Sequence, residues 1–183
     1  PSLSEPPPDI GLPPDAPLLL LGQEPGPDVS MGGSRWAWEI GGCKDGSLPV
    51  FDLNQAVRTA AFVAESVQKR RIEAVHDVGE GGVAVAVAEM AIDTGVGVQL
   101  DSYDNHISMF NESGGRVLVA VADDELDHFL EEAASKQVPA KMIGRTGGSS
   151  LEFGPAVKIP LDALIAASLN QLPEALGQGT VSA

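Results

Sequence analysis

The residues with chemical potential concentrate in one stretch, VHDVGEGGVAVAVAEMAI at positions 75–92. Read by period, it is a strand ending in His76-Asp77, then a glycine loop through Gly79 and Glu80, then a helix. Gly81 and Gly82 remove side chains where the helix begins. Its first N–H groups are then exposed to a small anion such as phosphate or carboxylate. His76 and Asp77 stand at the strand's C-terminal end, where open α/β sheets place ligand groups. A tight turn over a capped helix, with no ligand, is the plainer reading of the glycines alone. A third pattern overlaps both. Gly79, Gly81 and Ala84 fit G-x-G-x-x-A, and Asp101 lies about 20 residues on, as in a dinucleotide-binding fingerprint. Against it, the strand ends in charged residues and does not start a repeated βαβ array.

Other chemistries lack their residues. No G-x-x-x-x-G-K-[ST] phosphate loop and no G-x-S-x-G elbow occur. His76, His106 and His128 have no zinc-ligand spacing, and Cys43 is the single cysteine, so no thiolate metal site or internal disulfide can form. One cysteine fits a reducing, cytoplasmic setting. The chain has 183 residues, 11 basic and 26 acidic, for a net charge of −15. Such a surface repels phosphate backbones and argues against nucleic acid as a partner. The one basic run, Lys69-Arg70-Arg71, suits a helix C-terminus. No apolar run reaches the roughly 20 residues of a membrane span, and the N-terminus lacks the pattern of a signal peptide.

The elements that must position the glycine loop follow from the periods. Seven of the 14 prolines lie in residues 1–17, so residues 1–16 read as a linker arriving from upstream. With no Met at position 1, the chain reads as a fragment. Residues 17–21 read as a fully apolar strand, 31–41 as a short helix with Trp36 and Trp38 in core or interface, and 54–71 as a helix. Asp52 with Gln55 resembles a capping box. Strands are expected at 72–76, 96–101, 116–121, 139–144 and 149–153, and helices at 123–135 and 160–171. Within 83–88, VAVAVA alternates like a strand, but AEMAIDTG continues as helix with a Gly stop, so 81–94 is read as a buried helix. Residues 177–183 read as a tail. This alternation predicts an α/β layered domain.

AVHDVGEGGVAVAVAEMAI closely resembles "saHDvSdGGLavaLaEma" of phosphoribosylformylglycinamidine synthase large subunits. LLLLGQEPGPDVSMGGSRWA (18–37) is similar to that family's "LLG.T...LGGSeyA", and LPVFDLNQA (48–56) to "P.vDl..e". MFNESGGRVLVAV (109–121) resembles "lFsEs.gRvlVsv", and VPAKMIGRTGG (138–148) resembles "vp...iGtvgg". The likeness covers roughly 17–176. Gly79 replaces the usual Ser, Glu80 the Asp and Val83 the Leu; Asn111 stands where Ser is common; a threonine usual near Gln23 and Glu24 is missing.

The resemblance implies a three-layer α/β/α domain with a mixed sheet, as in the C-terminal domain of aminoimidazole ribonucleotide synthetase-like proteins. It implies an ATP-dependent carbon–nitrogen ligase that uses ATP, Mg²⁺ and glutamine to turn formylglycinamide ribonucleotide into the amidine. Its partners would be N-terminal ATP-binding domains, a glutaminase subunit and a small accessory subunit. The isolated chain would need no cofactor and show no turnover. A structural or ligand-binding half-domain of a selenophosphate or aminoimidazole ribonucleotide synthetase is the alternative. On the same resemblance, Gly32, Gly33 and Ser34 shape a phosphate pocket against the glycine loop, or Ser34 is only a helix cap. Glu112, Ser113 and Arg116 line the same cleft, with Arg116 gripping the anion, or Glu112 and Arg116 pair internally. His76 and Asp77 orient substrate, or form a satisfied buried pair. His106 and His128 would face solvent. Weak phosphate binding is expected at 79–83, to be blocked by Gly82→Val at modest cost to the helix.

Overall fold

A computed structural model describes residues 8–26, 29–101, 103, 105–155 and 157–177. Seven strands form one mixed sheet: β1 (Pro17–Leu21), β2 (Ala74–Asp77), β3 (Val98–Leu100), β4 (Val117–Ala120), β5 (Ala140–Thr146), β6 (Ser150–Phe153) and β7 (Val157–Pro160), in the order β2-β4-β1-β5-β3-β6-β7. Every pairing is antiparallel except β3 with β6. The helices are α1 (Arg35–Gly41), α2 (Leu53–Gln68), α3 (Gly82–Thr94), α4 (His106–Phe110), α5 (Leu126–Ser135) and α6 (Leu161–Ala175), with a 3-10 turn over Asp123–Glu125.

The apolar run of β1 is explained by two cores on opposite faces of the sheet. Leu18 and Leu20 join Leu118, Ala120 and the helix residues Val83, Val87, Met90 and Leu161. Leu19 and Leu21 join Val119 and Val121, with Phe62 of α2 and Phe129 and Ala133 of α5. Side chains alternate across a strand, so a central strand covered on both faces must be apolar throughout. Helices α3 and α6 cover one face, α2 and α5 the other: this is the expected α/β/α sandwich. Helix α3 buries Val83, Ala84, Ala86, Val87, Met90 and Ala91 and leaves a narrow exposed stripe of Val85, Glu89 and Asp93 at helical spacing. Its strand-like alternation arises because that stripe begins with an apolar residue, Val85.

Differences from the sequence reading are local. The linker assigned to 1–16 divides: residues 1–7 lie outside the described residues, but 8–16 pack onto the domain. Leu12 and Ala16 are buried, Asp9 bridges Ala74, and Thr146 Oγ1 donates to the Pro13 carbonyl. Prolines here restrict the backbone without preventing burial. Short elements β7 and α4 were not anticipated. Asp52 caps α2 by accepting from Gln55 N at 3.0 Å, but Gln55 does not return the bond; its amide donates to the Gln137 carbonyl at 3.2 Å. Apart from Gly177, the tail lies outside the described residues.

The basic run does sit at the end of α2. Lys69 meets Glu65 at 2.5 Å and Glu132 at 3.1 Å, Arg71 meets Glu132, and Lys136 meets Glu65, tying α2 to α5. Hydrogen bonds from Lys136 and Lys69 hold the Glu65 carboxyl down at about 2, from an ordinary 4.5. A carboxyl depressed on folding contributes stability above its unfolded pKa and loses it as pH falls towards the folded one. The expected result is a Glu65 side-chain titration, followed by carboxyl ¹³C shift, with its midpoint near 2. Lys136→Ala should return it towards the ordinary value.

Candidate functional site

Strand β2 delivers the chain into the glycine loop, and two left-handed glycines turn it into α3. Gly81 has φ 79° and Gly82 φ 66°, a region that costs other residues energy. Both are also needed for close approach. A Cβ on Gly81 would lie 2.3 Å from Val85 Cγ2, and one on Gly82 would lie 2.7 Å from the carbonyl oxygens of Asn111 and Met109. The glycines thus let the 109–111 backbone pack onto the start of α3.

That packing brings Glu112 to the place expected for an external anion. Gly81 N–H donates to Glu112 Oε1 at 2.9 Å, and Arg35 N–H, at the first residue of α1, donates to the same oxygen at 2.7 Å. Gly82 N–H closes a turn on the Gly79 carbonyl at 3.1 Å. A carboxylate at two helix N-termini satisfies donors that would otherwise lack partners and complements both dipoles. The expectation of bare N–H groups at residue 81 is thereby corrected: the chain supplies its own anion. The segment holding Gly32, Gly33 and Ser34 precedes α1, and Ser34 caps it, its Oγ accepting from Ala37 N at 3.1 Å.

A cavity of about 590 Å³ lies over this junction, lined by Gly33, Ser34, Arg35, Trp38, Cys43, Lys44, Gly79, Glu80 and Glu112. Five sequence-expected residues therefore do converge: Gly33, Ser34, Gly79, Glu80 and Glu112. The others do not line it. Gly32 packs beneath, where a Cβ would meet the Ser47 carbonyl at 2.6 Å. His76 Nε2 lies 2.9 Å from Glu89 Oε2 and its Nδ1 3.4 Å from Asp77 Oδ1. The pair expected to be buried is not, because Asp77 is 84% exposed. Ser113 lines a neighbouring cavity of about 380 Å³ with Gly114, Gly115, Ser30 and Ser47. Arg116 neither reaches the glycine loop nor pairs with Glu112. It is buried, with Nε donating to the Ser113 carbonyl at 2.9 Å and Nη2 to that of Asn111.

The cations of the cavity are ones the sequence reading passed over. The Arg35 guanidinium lies 5.0 Å and the Lys44 ammonium 4.5 Å from the Trp38 ring centroid. Arg35 also pairs with Glu39 at 2.9 Å and Glu80 at 3.2 Å. Only the adjacency of Arg35 to Gly33-Ser34 hinted at this. Trp36 stacks on Phe110 at 4.5 Å and His106 at 5.7 Å, so His106 is exposed yet held by a ring contact. His128 is exposed.

The dinucleotide alternative fails on topology. Strand β2 is an edge strand, antiparallel to β4, and three strands separate it from β3, to which α3 leads. The two strands run in the same direction but are not neighbours, and Glu112 Oε1 accepts from Gly81 N–H where the fingerprint would place the pyrophosphate. Among the described residues no group of three or more His, Cys, Asp or Glu side chains could hold a metal ion.

A mixed sheet between two helical layers, with paired glycine turns joined by one carboxylate, defines a synthetase-type α/β/α domain. The chain belongs to the family described as AIR synthase related protein, C-terminal domain, which matches residues 14–153. It is 34% identical over 168 residues to the phosphoribosylformylglycinamidine synthase subunit PurL of Parafrankia sp. (strain EAN1pec), covering 88% of this chain and 22% of that protein. It is 37% identical over 145 residues to PurL of Moorella thermoacetica, covering 78% of this chain and 20% of the relative. This chain thus spans about a fifth of the length of such relatives. Among solved structures, Thermotoga maritima PurL complexed with FGAR superposes with a TM-score of 0.70 at 16% identity, over 86% of this chain and 29% of that one. The T. maritima PurLQS structure gives 0.67 at 15% identity, over 86% and 27%. These superpositions speak to fold.

Proposed function

We propose that this chain is the C-terminal domain of a phosphoribosylformylglycinamidine synthase, occupying residues 17–176 with the packed segment 8–16 as its approach. The observation that carries the reading is the sequence identity to PurL subunits across most of the chain, the glycine loop included. The whole enzyme would be an ATP-dependent carbon–nitrogen ligase of purine biosynthesis, converting formylglycinamide ribonucleotide to its amidine. ATP would activate the amide oxygen, and ammonia from a glutaminase subunit would displace the phosphate. Magnesium would offset phosphate charge in that step. ATP-binding domains and a small accessory subunit complete the set of partners, in the cytoplasm. No helix among the described residues is long and apolar enough to cross a membrane.

In that enzyme the Gly33–Glu112 cavity would meet ligand through Arg35 and Lys44, while Glu112 fixes its floor. An exposed apolar strip fits a domain contact beside it. Ile40, Leu48, Val50, Phe51, Leu53 and Val57 are all more than half exposed, Val50 at 96%. A strip of this kind ordinarily marks an interaction surface.

The isolated chain is expected to hydrolyse no ATP and make no amidine. A coupled ATPase assay on the pure chain checks this. Activity that disappears in Asp77→Asn would show that the chain carries a catalytic site of its own.

A further inference from the structure

Among the described residues, Arg116 is the largest fully buried side chain, at 2% exposure. It spends two of its donors on the carbonyls of Ser113 and Asn111. Among the described residues, Nη1 has no hydrogen-bond partner and no carboxylate forms an ion pair with the guanidinium. A charge taken out of water ordinarily keeps a counterion, because burial without one is costly. Here burial pulls the Arg116 pKa down, and Tyr103 and Glu24 act on it only through longer-range fields.

The guanidinium opens on a cavity of about 360 Å³, lined also by Glu24, Tyr103, Asn105, Ser108 and Lys141. None of these residues lines the glycine-loop cavity. Glu24 is already shared: Tyr103 Oη donates to its Oε1 at 3.1 Å, and Lys141 Nζ lies 3.2 Å from its Oε2. Among the described residues lining the cavity, Arg116, Lys141 and Glu24 leave one positive charge, on a chain whose net charge is −15. We infer that this cavity is a binding site for the carboxylate of a small molecule, received by the free edge of the Arg116 guanidinium opposite Lys141.

One carboxylate neutralises the site, whereas a phosphate dianion overshoots it. The planar fork of a guanidinium also matches a carboxylate edge-on. Asn105, Ser108 and Tyr103 add polar groups around the rim, and the volume suits a small ligand. The site stands apart from the function proposed above.

The test is titration of the whole chain with sodium acetate at constant chloride-balanced ionic strength. The readouts are the Arg116 Nε–H resonance and the Ile107 and Ser108 amides. Saturable shifts at millimolar acetate are expected. Lys141→Gln should weaken binding and Glu24→Gln tighten it, each by roughly fivefold, the scale of one partly exposed charge. Both side chains are about half exposed, so these variants fold even if Arg116→Lys does not. Failure of the resonances to saturate overturns the proposal. So does Glu24→Gln leaving the affinity unchanged, because acetate then binds away from the charge that Glu24 contributes to the cavity. Inorganic phosphate binding the same resonances more tightly than acetate overturns the carboxylate assignment.

Discussion

Gly82→Val is expected to lower the melting temperature by on the order of 10 °C, while Gly79→Ala leaves it nearly unchanged. The two glycines are three residues apart in one loop, yet only one is packed. At Gly82, φ is 66°, and a Cβ would sit 2.7 Å from two carbonyl oxygens. Left-handed backbone costs a non-glycine residue about 1–2 kcal/mol. Forcing a branched side chain into packed backbone adds about 1–3 kcal/mol. At Gly79 a Cβ meets only Asp77 Oδ2, at an ordinary 3.5 Å. The sequence reading gave Gly82→Val a modest cost and assigned the damage to a blocked anion. The structure moves the damage to the seat of residues 109–111 on α3. Thermal unfolding of both variants, followed by circular dichroism, checks the contrast.

Glu112→Ala is expected to destabilise the chain by about 1–3 kcal/mol, because two helix N–H groups lose the oxygen they share. For a chain of this length that is a fall of roughly 2–4 °C per kcal/mol. Glu112→Gln keeps an acceptor oxygen and should lose less. Amide NMR separates this from general damage. The Gly81 and Arg35 amides should shift together in Glu112→Ala, although 46 positions separate them in sequence. Inorganic phosphate should perturb them in the alanine variant and leave them unmoved in the native chain. Phosphate shifting them equally in both would restore the external-anion reading.

Most of the sandwich was legible because its signals are local. The apolar run at 17–21, the stripe of α2 and the Gly stop at Gly95 each announce an element within a few residues. The α3 segment could be read as helix despite VAVAVA because helix formers and a C-terminal glycine outweighed the alternation. Elements β7 and α4 escaped because four- and five-residue elements carry too little period to register. The 8–16 segment escaped because proline content reports backbone shape and says nothing of burial.

The site was half legible for the same reason. The glycine loop was found by type and spacing and the Gly33-Ser34 turn by resemblance, and the structure joins them. What joins them is Glu112, 77 positions from one donor and 31 from the other, and no local pattern encodes that distance. Arg116 was placed with Glu112 on the resemblance of MFNESGGRVLVAV to the family segment. In the structure Arg116 turns to the Asn111 and Ser113 carbonyls and to a different cavity. At Gly79 a side chain fits, so packing does not demand glycine there.

The central claim is that this chain can serve as the C-terminal domain of the amidine-forming ligase. It is tested most directly by replacing the matching segment of Moorella thermoacetica PurL with residues 14–177 and assaying amidine formation. The assay supplies formylglycinamide ribonucleotide, ATP and ammonia, so no glutaminase partner is required. The chimera should form amidine clearly above the same enzyme lacking that segment, and Glu112→Ala within it should reduce the rate. A chimera that folds and binds ATP like its parent, yet forms no more amidine than the deleted enzyme, would contradict the account.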